Sequence, residues 1–357
     1  MELVSIVIPN YNYGHFIRQT MESAVHQTYS NVEIIVVDDG STDNSIAIVQ
    51  EYVNQYKNVT LYKNEKNLGV VENHNRAIAL SKGTYICVLS SDDYLDIRFV
   101  EECVKKFRTY PSAGMVVSAM HLVDDKGVIS DAPNYYGSSF ICKGIYQCKV
   151  FLMSNTFVPS QVLFKRECIE NPEVGGAFND FADTSIDTEL WYRICLHYDF
   201  LYFDKRLCYY RSYIGSYSKS YDNLKGAMQY YLLRQRFLQL AKDNNYLQSF
   251  GKEAIQRTPL FCIRSIRQLI MHGKDNIENF SMAKRYLRLA EAIDPNIINS
   301  VYYTLVEKII SEKKIEDIES FKKEEGNYLD SLKSEASRSV TNSAPYALPD
   351  YVTIIEA

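Results

Sequence analysis

Short apolar runs alternate with amphipathic segments over the first 110 or so residues of the chain. The runs are rich in β-branched residues and have the length of strands that are buried on both faces. The segments between them carry apolar residues at helical spacing and begin near Phe16, Ser41 and Val70. Strands that alternate with helices predict βαβ units and a largely parallel sheet. The four expected strands are Val4–Ile8, Val32–Val37, Val59–Tyr62 and Tyr85–Leu89.

The pattern that follows Asp93 continues the same α/β domain. Apolar runs again alternate with helical segments, and turn residues separate them. The expected elements are a helix at Ile97–Phe107, a strand at Met115–Val123 with a hairpin turn after it, a loop at Ser130–Gly144, a strand at Gln161–Lys165, a helix that opens at Ser185, and strands at Phe200–Phe203 and Leu207–Arg211.

From about Tyr221 the apolar residues recur at helical spacing, which predicts several antiparallel helices. No convincing repeat period accompanies them. We therefore divide the chain into an α/β domain at residues 1–220, an all-α region at 221–334 and a loop or tail at 335–357.

Composition narrows the class of protein. The chain has 357 residues and a formal net charge of −5, which argues against a general nucleic-acid binder. We expect no signal peptide and no membrane-spanning run. The eight cysteines form no Cys-x-x-Cys pair, and several lie inside apolar runs, as reduced core cysteines do. These features predict a cytoplasmic protein.

Two acidic pairs follow apolar runs and provide the candidate chemistry. Asp38-Asp39 ends the second run, and Asp92-Asp93 comes shortly after the fourth. Ligands of open α/β sheets bind outside the carboxyl ends of the strands, and hard carboxylate oxygens suit Mg²⁺ or Mn²⁺ that carries phosphate groups. The alternative for Asp92-Asp93 is a solvated acidic turn. The first strand is followed neither by Gly-x-Gly-x-x-Gly nor by a Walker A motif, so the dinucleotide fingerprint is excluded.

Four blocks taken together resemble family 2 of the glycosyltransferases, which have the nucleotide-sugar-binding GT-A fold. Their order and spacing make the set specific, and the resemblance covers roughly Met1 to Ser218. It implies an α/β GT-A domain with a nucleotide-sugar half at about 1–110 and an acceptor half at about 111–220. The blocks are Val4–Asn12, Val36–Asp43, Asn67–Asp93 and Gly175–Phe178 followed by Asp187-x-Glu189-Leu190-Trp191.

The resemblance also implies roles for individual residues. On the donor side, Tyr11 after Pro9 would stack on the nucleobase, and Asp39 would accept a hydrogen bond from a base N–H. Asp92 would lie by the ribose or the donor sugar, and Asp93 would bind a divalent cation, Mn²⁺ or Mg²⁺.

Three further positions are assigned in the same way, and three departures from the family pattern affect them. Asp187 would deprotonate the acceptor hydroxyl, but Ile186 precedes it where the family often has Glu, so Asp180 or Asp183 is the alternative base. His74 replaces a common basic residue and would still face the donor. Arg211 would contact the diphosphate, while Tyr213 stands where the family has a His and is a poorer metal ligand.

We therefore expect an inverting, metal-dependent transferase that uses a nucleotide diphosphate sugar, with uridine as the expected base. The acceptor would be a saccharide or a lipid-linked molecule in polysaccharide, glycolipid or glycan synthesis. The helical region would support a homodimer or acceptor presentation, and peripheral association with the inner face of the cell membrane ranks last. The alternatives are a sugar-phosphate nucleotidyltransferase and a non-catalytic nucleotide-sugar-binding scaffold.

Overall fold

The computed structural model describes residues 1–132, 135–154, 157–182, 185–213, 223–272, 277–312, 318–332 and 352–356. The chain divides into two units, the first comprising Met1–Lys219 with Asn342–Ala357 and the second Ser220–Thr341. Among the described helices, none combines the length and the apolar character that crossing a membrane requires.

The first unit is an α/β structure with a mixed sheet. Its strands are β1 Val4–Asn10, β2 Val32–Asp38, β3 Val59–Lys63, β4 Tyr85–Val88, β5 Tyr94–Leu95, β6 Ala113–Val123, β7 Ile129–Asp131, β8 Phe140–Cys142, β9 Val162–Lys165, β10 Asp199–Arg211 and β11 Thr353–Ile354. Its helices are α1 Ile17–Val25, α2 Ser45–Gln55, α3 Val70–Leu80, α4 Phe99–Thr109, α5 Gly144–Met153, α6 Arg166–Glu170 and α7 Ile186–His197.

The main sheet runs in the order β11-β8-β10-β6-β9-β4-β1-β2-β3. Strand β1 lies between β4 and β2 and is parallel to both, with Asn10 opposite Asp38 and Val7 opposite Val88. Helices cover both faces of this part of the sheet, so every residue of β1 is buried. Because the three strands are parallel, the turns that follow Asn10, Asp38 and Val88 emerge at one edge of the sheet.

The expected α/β architecture with helices beyond it is confirmed, and the structure refines it in three places. Strand β9 is antiparallel to both β4 and β6, so the sheet is mixed. The two strands expected at 200–203 and 207–211 are one strand, β10, whose register against β6 shifts between Phe203 and Arg206. A bulge at these positions accommodates the polar residues Asp204 and Lys205 without ending the strand. The residues Thr353–Ile354, expected in a tail, pair with β8.

The core of the first unit includes cysteine side chains. All eight cysteines of the chain are buried, and none is in a disulfide. Burial raises the pKa of the Cys87 and Cys103 thiols, so these side chains stay protonated and pack as small apolar groups.

The second unit is helical, as the apolar spacing predicts. Helices α10 and α11 pack along a shared apolar stripe that includes Ile263 and Ile266 on α10 and Ala283 and Leu287 on α11. Its helices are α8 Asn223–Leu240, α9 Asn245–Gln248, α10 Gly251–His272, α11 Ile277–Ile293, α12 Val301–Glu312 and α13 Ile318–Leu332.

Candidate active site

The loop after β1 is held by polar side chains from the loop after β2. Asn10 donates to the Asp38 carboxylate at 2.7 Å and to the Ser41 hydroxyl at 3.2 Å. Asn12 has a φ of 59°, a left-handed conformation that asparagine tolerates, and its side-chain oxygen accepts from the Thr42 N–H at 2.8 Å. This bracing leaves the side chain of Tyr11 44% exposed at the carboxyl edge of the sheet.

The Asp39 carboxylate anchors the loop that precedes α3. Its Oδ1 accepts from the Asn64 side chain at 2.6 Å and from the Leu68 N–H at 2.8 Å, and its Oδ2 accepts from the Gly69 N–H at 3.0 Å. Gly69 has a φ of 91°, which only glycine adopts without strain. Asp39 therefore holds the loop before α3 against the end of β2, and its expected contact with a base remains a prediction.

Asp93 lies behind the edge of the sheet with both carboxylate oxygens occupied. Ser160 donates its hydroxyl to Oδ2 at 2.6 Å, and the Arg211 backbone N–H donates to Oδ1 at 2.9 Å. The Thr20 hydroxyl bonds the Asp93 carbonyl oxygen at 2.8 Å and so fixes the turn to α1. Burial and the neighbouring Asp92 carboxylate raise the pKa of Asp93 well above its ordinary value.

Asp92 is half-buried and faces a group of aromatic side chains. The Tyr213 hydroxyl donates to its carboxylate, and Tyr13 bonds Tyr213 in turn. The ring of Tyr213 packs against Phe16 with 5.1 Å between centroids. Burial raises the pKa of Asp92 to about 6, although the Arg211 charge opposes that shift.

Arg211 is buried beside the two acids. Its Nε donates to the Asp92 carbonyl oxygen at 2.9 Å, and its Nη2 donates to the Gln19 side chain at 2.6 Å. The guanidinium carbon lies 4.4 Å from the centre of the Phe16 ring, the distance of a cation–π contact. Arg211 thus supplies positive charge next to Asp92, and a contact with a diphosphate remains a prediction.

His74 lies on α3 in an apolar setting. Its Nδ1 bonds the Val70 carbonyl oxygen at 2.7 Å, so Nδ1 carries the proton and Nε2 is left as an acceptor. The ring meets Phe178 edge to face at 5.4 Å, and burial lowers the pKa of His74 to about 4. His74 is therefore neutral near pH 7 and does not replace the positive charge of a basic residue.

Asp187 lies in the first turn of α7, where an N-terminal helix dipole favours a carboxylate. The Thr188 N–H donates to its Oδ1 at 2.7 Å. Burial nevertheless raises the pKa of Asp187 to about 6, which is near the optimum for a group that accepts a proton at physiological pH. Of the two alternative bases, Asp180 is exposed in a short 3-10 turn, and Asp183 lies outside the described residues.

Several residues that complete this site carry no local sequence signal. Ser160, Thr20 and Gln19 contact the Asp92–Asp93 turn or Arg211 from distant parts of the chain. Each is a common polar residue in a segment that reads as an ordinary helix or turn. Only the fold shows that they meet the acids or Arg211.

Comparison with known proteins gives the context of this geometry. The family model "Glycosyl transferase family 2" matches residues 5–171. The chain is 28% identical over 268 residues to glycosyltransferase GlyG of Streptococcus pneumoniae, covering 68% of this chain and 87% of that protein. It is 28% identical over 281 residues to the Escherichia coli UDP-Glc:alpha-D-GlcNAc-diphosphoundecaprenol beta-1,3-glucosyltransferase WfaP, covering 76% and 96%. Identity to the chondroitin synthase of Escherichia coli is 38% over 134 residues, but the chain spans only 19% of that relative's length.

Solved structures share the fold. Residues 1–349 of Staphylococcus aureus TarS in complex with UDP-GlcNAc match with a TM-score of 0.60 and 16% identity, covering 92% of each chain. The mannosyltransferase PcManGT of Pyrobaculum calidifontis, in complex with GDP-Man and Mn²⁺, matches with a TM-score of 0.53 and 15% identity, covering 87% of this chain and 85% of that one. These likenesses confirm the expected GT-A fold.

Proposed function

The chain belongs to glycosyl transferase family 2 through its residues 5–171, and we propose that it is an inverting glycosyltransferase. It transfers a sugar from a nucleotide diphosphate sugar, with uridine as the base, to a hydroxyl group of a saccharide or lipid-linked acceptor. In one displacement, the acceptor oxygen forms a bond to the anomeric carbon while the bond from that carbon to the diphosphate breaks. Asp187 takes the proton that the acceptor hydroxyl loses.

One observation carries the proposal: the acids expected on the donor side follow neighbouring parallel strands at a single edge of the sheet. Asp39 follows β2, Asp92 and Asp93 follow β4, and β1 with Tyr11 lies between them. This edge is where open α/β sheets bind nucleotides. An exposed Tyr11 ring suits stacking on a flat base, and the Arg211 guanidinium adds positive charge for a diphosphate.

The two adjacent acids fit a divalent cation. Mg²⁺ and Mn²⁺ sites that also hold substrate phosphates typically use one or two carboxylates. Asp93 has bonds to both oxygens and is 1% exposed, whereas Asp92 is half-buried at the mouth of the site. We therefore propose Asp92 as the direct ligand, in place of the Asp93 expected from the sequence, with Asp93 supporting it from behind. A bound cation would neutralise the negative charge that develops on the diphosphate leaving group.

The relatives support the donor and acceptor classes. The name of WfaP specifies UDP-Glc, a lipid diphosphate-linked sugar acceptor and a β linkage, and its match covers 76% of this chain. A β product of this kind is the outcome of one inversion at an α-linked donor, which agrees with the proposed inverting transfer. We retain the expectation that the helical region supports a homodimer or acceptor presentation, with peripheral association at the inner face of the membrane ranked last. Light scattering and vesicle flotation of the full chain would test the dimer and the membrane association.

The test is a screen of nucleotide sugars against the full chain. Isothermal calorimetry with Mn²⁺ should detect one UDP-sugar that binds at least about tenfold more tightly than its GDP counterpart, a gap of about 1.4 kcal/mol. That donor should then be consumed in the presence of lipid-linked saccharides. Binding without any donor turnover would favour the scaffold alternative, and release of pyrophosphate from a nucleoside triphosphate and a sugar phosphate would favour a nucleotidyltransferase.

A further inference from the structure

A buried arginine joins helix α7 to the glycine loop that precedes it. Arg193 is 3% exposed, and its Nε donates to the fully buried Glu189 carboxylate at 2.8 Å. Its Nη1 donates to the carbonyl oxygens of Val174 at 2.5 Å and Gly176 at 2.7 Å, and its Nη2 donates to that of Ala177. One guanidinium therefore holds three carbonyl groups of a single loop.

The far end of this loop is bound to α3. Asn75 on α3 accepts from the Phe178 N–H at 3.0 Å and donates to the Phe178 carbonyl oxygen at 2.8 Å, so its amide pairs with the loop as a neighbouring strand would. The Phe178 ring packs between His74 of α3 at 5.4 Å and Trp191 of α7 at 6.4 Å. The loop thus bridges the helix of the donor half and the helix that carries Asp187.

Two glycines allow the loop to take this form. Gly175 and Gly176 have φ values of 79° and 92°, which place both in the left-handed region. In this turn the carbonyl groups of Val174, Gly176 and Ala177 all reach the Arg193 guanidinium. Since the C=O and N–H of a peptide group point in opposite directions, the N–H that faces away from the Ala177 carbonyl is the one that reaches Asn75.

The chemistry of this contact requires an arginine. The planar guanidinium offers five donors in a fixed fork, whereas a lysine ammonium offers three donors at one point. The three loop carbonyl groups and the Glu189 carboxylate lie where the donors of the buried Arg193 guanidinium point. A lysine at this position would keep the charge beside Glu189 but would leave part of the loop unheld.

We propose that Arg193 is a positioning residue that sets the place of Asp187 relative to the donor half through the Val174–Phe178 loop. Asp187 lies less than two turns before Arg193 on α7, so the same contacts that hold the loop also hold the start of the helix. The inference rests on the proposed function, in which Asp187 accepts the proton of the acceptor. Arg193 itself touches no substrate.

The test is a double-mutant cycle that compares Arg193→Lys and Asp187→Asn, singly and together. Misplacing a catalytic group by about 1 Å costs on the order of 10²-fold in rate, so Arg193→Lys should lower kcat by about 10- to 100-fold. In the Asp187→Asn background the same change should cost less than about threefold, because groups that act as one unit are not additive. Donor affinity by calorimetry should stay within about threefold in all variants.

Arg166→Lys is the matched control. Arg166 also holds backbone and hydroxyl groups, donating to the Gly83 carbonyl oxygen at 2.7 Å and to the Ser81 hydroxyl at 2.6 Å, but just beyond the C-terminal end of α3. Its variant should lose thermal stability with little change in kcat. If Arg193→Lys does not fold, Asn75→Ala releases the loop from its α3 end and should show the same dependence on Asp187.

The outcomes separate this inference from the proposed function. A wild-type chain that binds no nucleotide sugar would overturn both. An active enzyme in which the losses from Arg193→Lys and Asp187→Asn multiply would overturn only the positioning role, as would a Lys variant with reduced Tm and normal kcat.

Discussion

The Ser160 hydroxyl donates to the Asp93 carboxylate at 2.6 Å, and this contact sets the roles of the two adjacent acids. Asp93 is held in the interior by Ser160 and by the Arg211 backbone, so its carboxylate has a fixed orientation. Asp92 is half-buried, and its carboxylate accepts a hydrogen bond from the Tyr213 hydroxyl. The pair therefore combines a supporting acid with an accessible one.

We expect Asp92→Asn to abolish the Mn²⁺ dependence of donor binding while leaving Tm nearly unchanged. Asp93→Asn should lose donor binding and also stability, because replacing the buried carboxylate disturbs two hydrogen bonds and leaves a buried group poorly paired, at a cost of about 1–3 kcal/mol. Calorimetry with and without Mn²⁺, together with thermal unfolding, checks both. If Asp93→Asn alone removed the Mn²⁺ dependence at unchanged Tm, Asp93 would be the direct ligand.

Tyr213 should limit the metal affinity of the site. Its hydroxyl donates a hydrogen bond to the Asp92 carboxylate. A phenol is also a weak ligand for a divalent cation near pH 7, because its reference pKa is about 10. Tyr213→His would add an imidazole, the commonest metal ligand in proteins, and should tighten Mn²⁺ binding at pH 7.5. Tyr213→Phe, the control, frees Asp92 without adding a ligand. Equal Mn²⁺ affinities for His and Phe variants would exclude direct ligation from this position.

The sheet and the strand-end acids are predictable from sequence because each depends on a local pattern. An apolar run followed by an acid predicts that Asp39 or Asp93 lies at the end of a strand. This prediction needs no information from distant parts of the chain. Ser160 is 67 residues from Asp93, and Arg193 is recognisable only once the loop carbonyls converge on it. Long-range polar contacts of this kind depend on the folded arrangement.

The same limit explains the sequence-based assignments that the structure refines. The expectation that His74 faces the donor rests on residue type, whereas burial beside Phe178 lowers the pKa of His74 to about 4 and leaves the ring neutral near pH 7. The division of β10 into two strands rests on the polar pair at 204–205, yet pairing with β6 continues across it through a bulge. In both cases neighbours that are distant in sequence determine the outcome.

Gly144 should tolerate no side chain, because a Cβ there would overlap the carbonyl oxygens of Cys195 and Tyr198 at the end of α7. Gly144→Ala should therefore cost at least about 1–3 kcal/mol of unfolding free energy, as overpacking of a rigid contact does. Gly226, inside α8, faces open space. Gly226→Ala is the matched control and should gain about 0.5–1 kcal/mol through its higher helix propensity. Urea unfolding measures both, and equal effects would contradict the packing argument.

The pH dependence of turnover should report Asp187. Burial raises the pKa of Asp187 from 3.8 to about 6, and only the carboxylate can accept a proton. At saturating Mn²⁺ and donor, which keep Asp92 ionised, the kcat of the wild-type chain should therefore fall about tenfold per pH unit below pH 6 and level off above it. Asp187→Asn should lower turnover by about 10²–10⁴-fold at pH 8 and remove this acid limb, with donor affinity retained.

The same pKa shift predicts the effect on stability. Because the pKa of Asp187 is raised, the folded state holds the proton more tightly than the unfolded state, and ionisation of Asp187 above pH 6 costs stability. The Asn variant should therefore melt at the same or a higher temperature at pH 8. Asp180→Asn, at an exposed position, is the control and should keep the acid limb. An Asn variant at 187 with near-normal turnover and an unchanged profile would exclude Asp187 as the base.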